Sequence, residues 1–288
     1  MDMEGGVLPP LDVLAAADAA VVAAPLTARA AEWAARLGPP FDPALAPLCA
    51  LPAAFVAPWM SGRGARLTAR TGLWIFALDA WTDGPGARRD AARLRAGLAG
   101  LRAVAQGAAP GEGALGTALA QIRDDVAVAP AALPPWRRAV DAALAATLFE
   151  YEAAKRVREG GPAPALGDYL RHGAASIALA PLVLAMWSDM PSSPLPALRR
   201  PLRDACLAVR LANDLRGHGR ERREGVLDAL ALGLPPDEVR SRVTRHVARC
   251  RTALRPHLGA VPGPALALER LLLWSVRHYE RVDAGHAA

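Results

Sequence analysis

The chain has 288 residues, of which 52% are hydrophobic and only 5% aromatic, and its formal net charge is +6. This length suffices for one substantial core, and a composition dominated by Ala, Leu and Val favours packed helices over a β-sandwich. The basic residues are almost all Arg and are spread along the chain, so the sequence has no basic block of the kind that binds nucleic acid. A modest positive charge suits a small anionic substrate equally well.

The cysteines and the N-terminus indicate the compartment. Cys49, Cys206 and Cys250 form neither a CxxC pair nor a zinc-type spacing, which predicts reduced, buried thiols. The N-terminal residues are acidic where a secretion signal would be basic. The longest apolar run, 177–187, is shorter than the roughly 20 residues that a membrane span needs. We therefore expect a soluble, cytoplasmic protein with no membrane span and no nucleic-acid partner. A homodimer remains open.

Stretches with apolar residues at helical spacing alternate with proline and glycine along the chain. They predict helices near 27–37, 62–82, 87–106, 113–128, 135–159, 166–188, 198–222, 236–255 and 264–282. The Pro-rich joints at 39–47, 130–135, 191–201 and 235–236 are interpreted as short connections. No segment alternates apolar and polar residues for long enough to indicate a sheet. The expected fold is an all-α helical bundle in a single domain, residues 1–288.

Two aspartates lie at the end of the predicted helix 62–82. Asp79 and Asp83 are four residues apart, so they share a helix face with Cβ atoms about 5–6 Å apart. The residues before them are apolar, and two carboxylates at the end of a buried helix repel each other unless a cation lies between them. Mg²⁺ is commonly bound by one or two carboxylates together with substrate phosphates. The alternative is structural: Asp83 begins a solvated turn, and Asp79 caps the helix or pairs with an Arg.

A second polar segment lies in the predicted helix 198–222. Asn213, Gly217 and Glu221 are spaced by four and follow one helix face over about 12 Å. The amide oxygen of Asn and the carboxylate of Glu are hard ligands that suit Mg²⁺. Arg220, beside Glu221, could reach a diphosphate oxygen. The alternative for this segment is an exposed helix rich in ion pairs.

Together the two segments resemble the metal-binding motifs of the class I terpene synthases. Residues 79–83 are similar to the Asp-Asp-x-x-Asp motif of that family, and residues 213–221 resemble its Asn-Asp motif, which ends in Lys/Arg-Glu. The order and separation of the motifs also match, and the resemblance extends from about residue 50 to the end. The sequence departs from the pattern at Ala80, where a second aspartate is usual. It departs again at Gly217, where a Ser or Thr ligand is usual and where we expect a water instead.

The resemblance implies an all-α fold with a central apolar pocket and Mg²⁺ as the cofactor, as three ions. The implied metal ligands, which are also the catalytic residues, are Asp79, Asp83, Asn213 and Glu221. The implied diphosphate contacts are Arg171, Arg220, Arg277 and Tyr279. Arg171 stands for the Arg of a kinked helix that senses diphosphate in the family, and 277–279 is similar to a C-terminal Arg-Tyr pair. The pocket candidates are Phe55, Phe76, Trp81, Gly173, Ser176 and Trp187, although each aromatic also fits an ordinary core position.

The implied activity is ionisation of a prenyl diphosphate, followed by carbocation cyclisation or elimination to a terpene and pyrophosphate. Geranylgeranyl diphosphate is the favoured substrate, because the segments around Asp79 and Arg171 look more like those of bacterial diterpene synthases. One alternative is a head-to-tail prenyltransferase, which resembles this family in fold but has a second Asp-rich motif where this chain has Asn-Asp-Leu at 213–215. The other alternative is a non-enzymatic helical interaction module.

Overall fold

The computed structural model describes residues 12–84, 90–190, 196–224, 226–259 and 262–282, except for the side chains of 220–224. Within these ranges the chain forms eleven α-helices and no strand, which confirms the all-α prediction. The helices are α1 Val13–Leu37, α2 Ala46–Val56, α3 Gly62–Asp83, α4 Ala91–Gln106, α5 Ala114–Ala127, α6 Leu133–Arg158, α7 Leu166–Ser176, α8 Leu179–Trp187, α9 Arg199–Glu224, α10 Pro236–Leu254 and α11 Pro264–Arg281.

Short polar side chains and prolines define several helix starts. Asp12 Oδ1 accepts the Ala15 N–H at 3.0 Å at the start of α1, and Asp90 Oδ1 accepts the Arg93 N–H at 3.0 Å at the start of α4. Prolines occupy the first turns of α2, α6, α10 and α11. A missing N–H is tolerated there because the first N–H groups of a helix have no intrahelical acceptor. Several Pro-rich joints of the sequence therefore run into the first turn of the next helix.

Three boundaries differ from the prediction. Helix α1 begins at Val13 rather than at residue 27, and it continues through Pro25. Helix α2 was not predicted, since no helix was expected between residues 37 and 62; it contains an internal proline, Pro52. One internal proline removes one donor, a loss that packing of the rest of the helix can offset. The predicted helix 166–188 is two helices, α7 and α8.

The break between α7 and α8 lies at Ile177 and Ala178. Ala178 has a φ of 52°, a left-handed conformation that costs a non-glycine residue about 1–2 kcal/mol. The sequence suggested that Gly173 and Pro181 would break the helix. Gly173 instead stays inside α7, and Pro181 lies in the first turn of α8.

Helix α9 packs against α7, α8, α10 and α11, and α3 packs against α2, α5 and α8. The largest fully buried side chains of the protein include Trp74, Trp136 and Tyr169. All three cysteines are free and buried, as expected from their spacing. Burial raises the pKa of the Cys206 and Cys250 thiols to about 12, so both remain protonated.

Two segments are long and apolar enough to cross a membrane by length and composition alone, namely α1 and residues 166–187. The second segment is interrupted by the α7–α8 break, and half of its apolar window is buried inside the protein. Core helices of soluble proteins pass the same test, so these two segments are weak evidence for a membrane span.

Candidate active site

A cavity of about 340 Å³ lies between α2, α3, α6, α9, α11 and the α7–α8 break. Much of its wall is apolar, formed by Leu48, Pro52, Ile75, Phe76, Leu179, Leu182, Met186, Leu271 and Trp274. Such a wall can enclose a hydrocarbon chain and exclude water from it.

Polar side chains line the cavity towards the C-terminal ends of three helices. On α3 the apolar lining passes through Phe76 to Asp79 and Asp83, and on α6 the last lining residue is Arg158. On α11 the lining ends at Tyr279. A helix C-terminus carries a partial negative charge, to which the two aspartates add. The aspartates therefore favour a cation beside the end of α3, while Arg158 brings a positive charge of its own to this part of the cavity.

The structure brings three of the four predicted metal ligands to this cavity. Asp79, Asp83 and Asn213 all line it, and both aspartates are exposed at the surface of α3. The side chains of Glu221 and Arg220 lie outside the described residues. Within the described part of the chain, no group of three or more His, Cys, Asp or Glu side chains is placed to hold a metal. Two carboxylates and an amide form a hard oxygen set, which fits Mg²⁺ that also binds substrate phosphates.

Two of the predicted diphosphate contacts do not line the cavity. The Arg171 side chain is 65% exposed and pairs with Asp168 at 3.0 Å. The Arg277 side chain is 60% exposed and pairs with Glu280 at 2.8 Å. Each partner lies three residues away on the same helix, so both contacts are local surface ion pairs. Neither arginine brings its charge to the cavity.

Basic side chains reach the cavity from other positions. Arg158, Arg210 and His278 line it, together with the predicted Tyr279. Partial burial lowers the pKa of His278, so its imidazole is mostly neutral at pH 7. The sequence contained a signal for Arg210, because it lies three residues before Asn213 and so near it on the helix surface. No local pattern marks Arg158, which is the last residue of a long helix.

Two of the six pocket candidates line the cavity, namely Phe76 and Ser176. Phe55 does not line the cavity. Its ring centroid lies 5.9 Å from that of Trp274, which is a lining residue. Phe55 therefore supports the cavity wall from behind.

Trp81 and Trp187 pack elsewhere, and neither lines this cavity. Trp81 lies so close to α4 that a Cβ at Gly97 would come within 2.6 Å of its ring. Trp187 donates its indole N–H to the Pro264 carbonyl at 3.0 Å, which ties α8 to the start of α11. Both side chains fit the core interpretation that the sequence left open.

A buried network joins α6, α7 and α9 beside the cavity. Arg210, which is 7% exposed, donates from Nη2 to the Tyr169 hydroxyl at 2.6 Å. Its Nη1 lies 3.2 Å from Glu150 Oε1. The Tyr169 hydroxyl donates to Asp214 Oδ2 at 2.8 Å, and the Ser176 hydroxyl donates to Glu150 Oε1 at 2.7 Å. These contacts satisfy several polar groups that burial would otherwise leave unpaired.

Asp214 follows Asn213 but faces the protein interior and is fully buried. Its Oδ2 accepts the Ala229 N–H at 3.1 Å, which fastens the segment after α9. Its Oδ1 lies 2.8 Å from Arg210 Nε. The Nε–H group donates to the Tyr169 hydroxyl at 3.0 Å instead, so Asp214 Oδ1 and Arg210 Nε form an ion pair without a hydrogen bond. Burial raises the pKa of Asp214 to about 6, and the Arg210 charge opposes that rise.

Comparison with known proteins identifies the family. Residues 70–232 match the family model of terpene synthase family 2, C-terminal metal binding, which is more than half of the chain. The matched region contains Asp79, Asp83 and Asn213.

Individual relatives agree with this match. The chain is 40% identical over 90 residues to the ent-pimara-9(11),15-diene synthase of Streptomyces sp. (strain KO-3988), a stretch that spans 31% of this chain and 30% of that protein. The crystal structure of linalool/nerolidol synthase from Streptomyces clavuligerus has a TM-score of 0.64 at 21% identity, covering 90% of this chain and 94% of that one. The SVS_A2 protein from ancestral sequence reconstruction has a TM-score of 0.69 at 19% identity, covering 89% and 85%. These structures share the fold, and the family model covers the candidate metal ligands: the chain belongs to terpene synthase family 2.

Proposed function

We propose that this protein is a cytoplasmic class I terpene synthase that ionises a prenyl diphosphate in the presence of Mg²⁺. The observation that carries the proposal is a single cavity that is lined both by the oxygen donors Asp79, Asp83 and Asn213 and by an apolar wall. The diphosphate group of a prenyl diphosphate requires metal ions held by such oxygen donors, and its hydrocarbon chain requires the apolar wall.

In the proposed reaction the allylic C–O bond breaks and its electron pair leaves with the diphosphate oxygen. The resulting carbocation, either directly or after cyclisation, loses a proton to the released diphosphate and gives an alkene. Three Mg²⁺ ions, held by Asp79, Asp83, Asn213 and Glu221, would neutralise the negative charge of the leaving diphosphate. Arg158 would bring a further positive charge to the same part of the cavity.

The cavity wall determines what happens to the carbocation. The apolar residues exclude water, which would otherwise capture the cation at once. The rings of Phe76 and Trp274 line the cavity and present π faces that can stabilise passing positive charge. The carbon chain can therefore react with itself before it meets an external nucleophile.

We propose geranylgeranyl diphosphate as the preferred substrate. The support is the 40% identity over 90 residues to a protein named as an ent-pimaradiene synthase, since pimaradienes are C20 hydrocarbons. Under this proposal the products are a cyclic or linear diterpene and pyrophosphate.

The test is Mg²⁺-dependent pyrophosphate release from C10, C15 and C20 prenyl diphosphates, without isopentenyl diphosphate and with gas chromatography of the products. We expect the highest kcat/KM with the C20 substrate, and loss of turnover in Asp79→Asn. Asp237→Asn, at a side chain that is 94% exposed on α10, is the matched control. Turnover that requires isopentenyl diphosphate would identify a prenyltransferase, and no release under any condition would indicate an interaction module.

A further inference from the structure

We propose that Arg210 is a positioning residue, which holds the α7–α8 break in place relative to the face of α9 that carries Asn213. Its side chain occupies the space that the missing side chain of Gly173 leaves open. The part that concerns Asn213 rests on the proposed function. The part that concerns the break rests on the contacts of the network alone.

The first observation is the close approach of Arg210 to α7. A Cβ at Gly173 would lie 3.1 Å from Arg210 Cγ and 3.2 Å from its Nε. Such contacts are shorter than ordinary van der Waals distances, so any side chain at position 173 would press on the arginine. Glycine inside a helix is less favourable than alanine. Position 173 thus gives up helix stability at the point where Arg210 crosses it.

The second observation is that the guanidinium cannot move away easily. Nη2 and Nε donate to the Tyr169 hydroxyl at 2.6 Å and 3.0 Å, and Nη1 lies 3.2 Å from Glu150 Oε1. Asp214 lies on the remaining side, 2.8 Å from Nε. Among the contacts of the described residues, two carboxylates therefore face one guanidinium and balance its positive charge. This charge balance favours a positioning role over direct substrate binding.

The third observation is where the network ends. Ser176, the last residue of α7, donates to Glu150 and lies 3.4 Å from Arg210 Nη1. The next two residues form the break, where the Ile177 N–H donates to the Gly173 carbonyl at 3.2 Å and the Ala178 N–H to the Ala175 carbonyl at 3.1 Å. Ser176 and Ile177 both line the cavity. Movement of Arg210 would therefore move the cavity wall at the break.

The same movement would reach the candidate metal site. Arg210 and Asn213 are three residues apart on α9, so they are neighbours on its surface. The contacts that fix Arg210 against α6 and α7 also limit rotation of α9 about its axis. Rotation of α9 would move Asn213 relative to the cavity that it lines together with Asp79 and Asp83. Arg210 therefore links the position of the break to the direction of a metal ligand.

A matched pair of glycine variants tests this proposal. Gly173→Ala pushes on Arg210, whereas Gly167→Ala, on the same helix, adds a Cβ that meets nothing within 4 Å. Both changes raise helix propensity, by more at Gly173 inside α7 than at Gly167 in its first turn. This gain would slow local opening, so faster exchange in Gly173→Ala has to come from the contact with Arg210. Amide hydrogen exchange at Ile177 and Ala178 reports on the break without any need for activity. Turnover as a function of Mg²⁺ concentration, kcat, KM and the product ratio report on the site.

In Gly173→Ala we expect roughly tenfold faster exchange at Ile177 and Ala178 than in Gly167→Ala, because the break opens locally more often. We also expect a higher Mg²⁺ concentration for half-maximal turnover and an altered product ratio, with kcat changing more than KM. Gly167→Ala should match the wild type in all of these.

Equal exchange in the two glycine variants would overturn the proposal, whatever the activity of the enzyme. Faster exchange in Gly173→Ala with an unchanged Mg²⁺ requirement and product ratio would overturn the link to Asn213. Arg210→Lys, which keeps the charge but not the paired donors to Tyr169, should reproduce the Gly173→Ala pattern. A rise in KM alone in Arg210→Lys, with unchanged exchange, would instead show direct contact with the substrate. If the wild-type enzyme releases no pyrophosphate, the proposed function fails, and the exchange data still decide whether Arg210 holds the break.

Discussion

Replacing Asp214 by Asn should change how stability depends on pH. Burial raises the pKa of this carboxyl from 3.8 to about 6. One pKa unit corresponds to about 1.4 kcal/mol, so a rise of about 2 units corresponds to about 3 kcal/mol of pH-dependent stability. This is a large part of the 5–15 kcal/mol that is typical of the whole free energy of unfolding of a domain.

The direction follows from the pKa being higher in the folded state than in the unfolded chain. The folded protein then binds the proton more tightly, so the contribution is complete below about pH 4 and is lost as the pH rises through about 6. Asn cannot titrate in this range. As the pH falls from about 7 to about 4, the wild type should gain about 3 kcal/mol of unfolding free energy relative to Asp214→Asn.

The assay is urea unfolding, followed by far-UV circular dichroism, at several pH values across this window. The informative quantity is how the difference in unfolding free energy between the wild type and Asp214→Asn changes with pH. Asn at 214 also removes the ion pair with Arg210, which adds a constant offset to this difference. Asp237→Asn controls for exchanging a carboxylate for an amide at an exposed position. Parallel curves for the wild type and Asp214→Asn from about pH 4 to about pH 7 would refute the raised pKa of Asp214.

The remaining predictions concern the candidate metal site. Asp79→Ala should lower turnover by roughly a thousandfold at saturating Mg²⁺, the loss expected from about 4 kcal/mol of transition-state stabilisation, while far-UV circular dichroism stays unchanged. Asn213→Ala and Glu221→Ala should each raise the Mg²⁺ concentration for half-maximal turnover. Their effects should be non-additive in the double variant, whereas strict additivity would assign the two residues to separate sites. Gly217→Ser should raise the melting temperature slightly and keep or lower the Mg²⁺ requirement, because the serine hydroxyl can replace a water. Joint loss of stability and turnover would mean that a neighbouring helix or the substrate needs the space beside Gly217.

Helix content and the placement of the two candidate metal ligands of α3 could be predicted because both depend on local spacing. Apolar residues at helical intervals gave most of the long helices, and a spacing of four placed Asp79 and Asp83 on one face of α3. The family resemblance then paired them with Asn213, and all three line one cavity. The N-terminal half of α1 and all of α2 were not predicted; each of these helices contains an internal proline that packing tolerates.

The pocket aromatics were harder to predict, because large apolar side chains serve both cavities and cores. Phe76 and Trp81 are five residues apart on α3, yet the first lines the cavity and the second packs on α4 at Gly97. Which of two aromatics faces a cavity depends on the neighbouring helices, and these are distant in sequence. The buried network around Arg210 was missed for the same reason, since Glu150 and Tyr169 come from two other helices.

The two misplaced arginines show how helical phase could have improved the prediction. Arg171 was chosen for its proximity to Gly173, but Tyr169 and Gly173 are the buried residues of α7, and they lie four apart on one face. Arg171 is two residues from each, which places it on the opposite side of the helix. Arg277 lies four residues after the exposed Leu273 and three before the exposed Glu280, whereas Leu271, Ser275 and Tyr279 follow the cavity face at intervals of four. An acidic partner on the same helix does not distinguish an exposed arginine from a buried one, because Arg210 is buried and also has such a partner, Asp214, four residues away. A family role should therefore be transferred to the residue with the right helical phase rather than to the nearest residue of the right type.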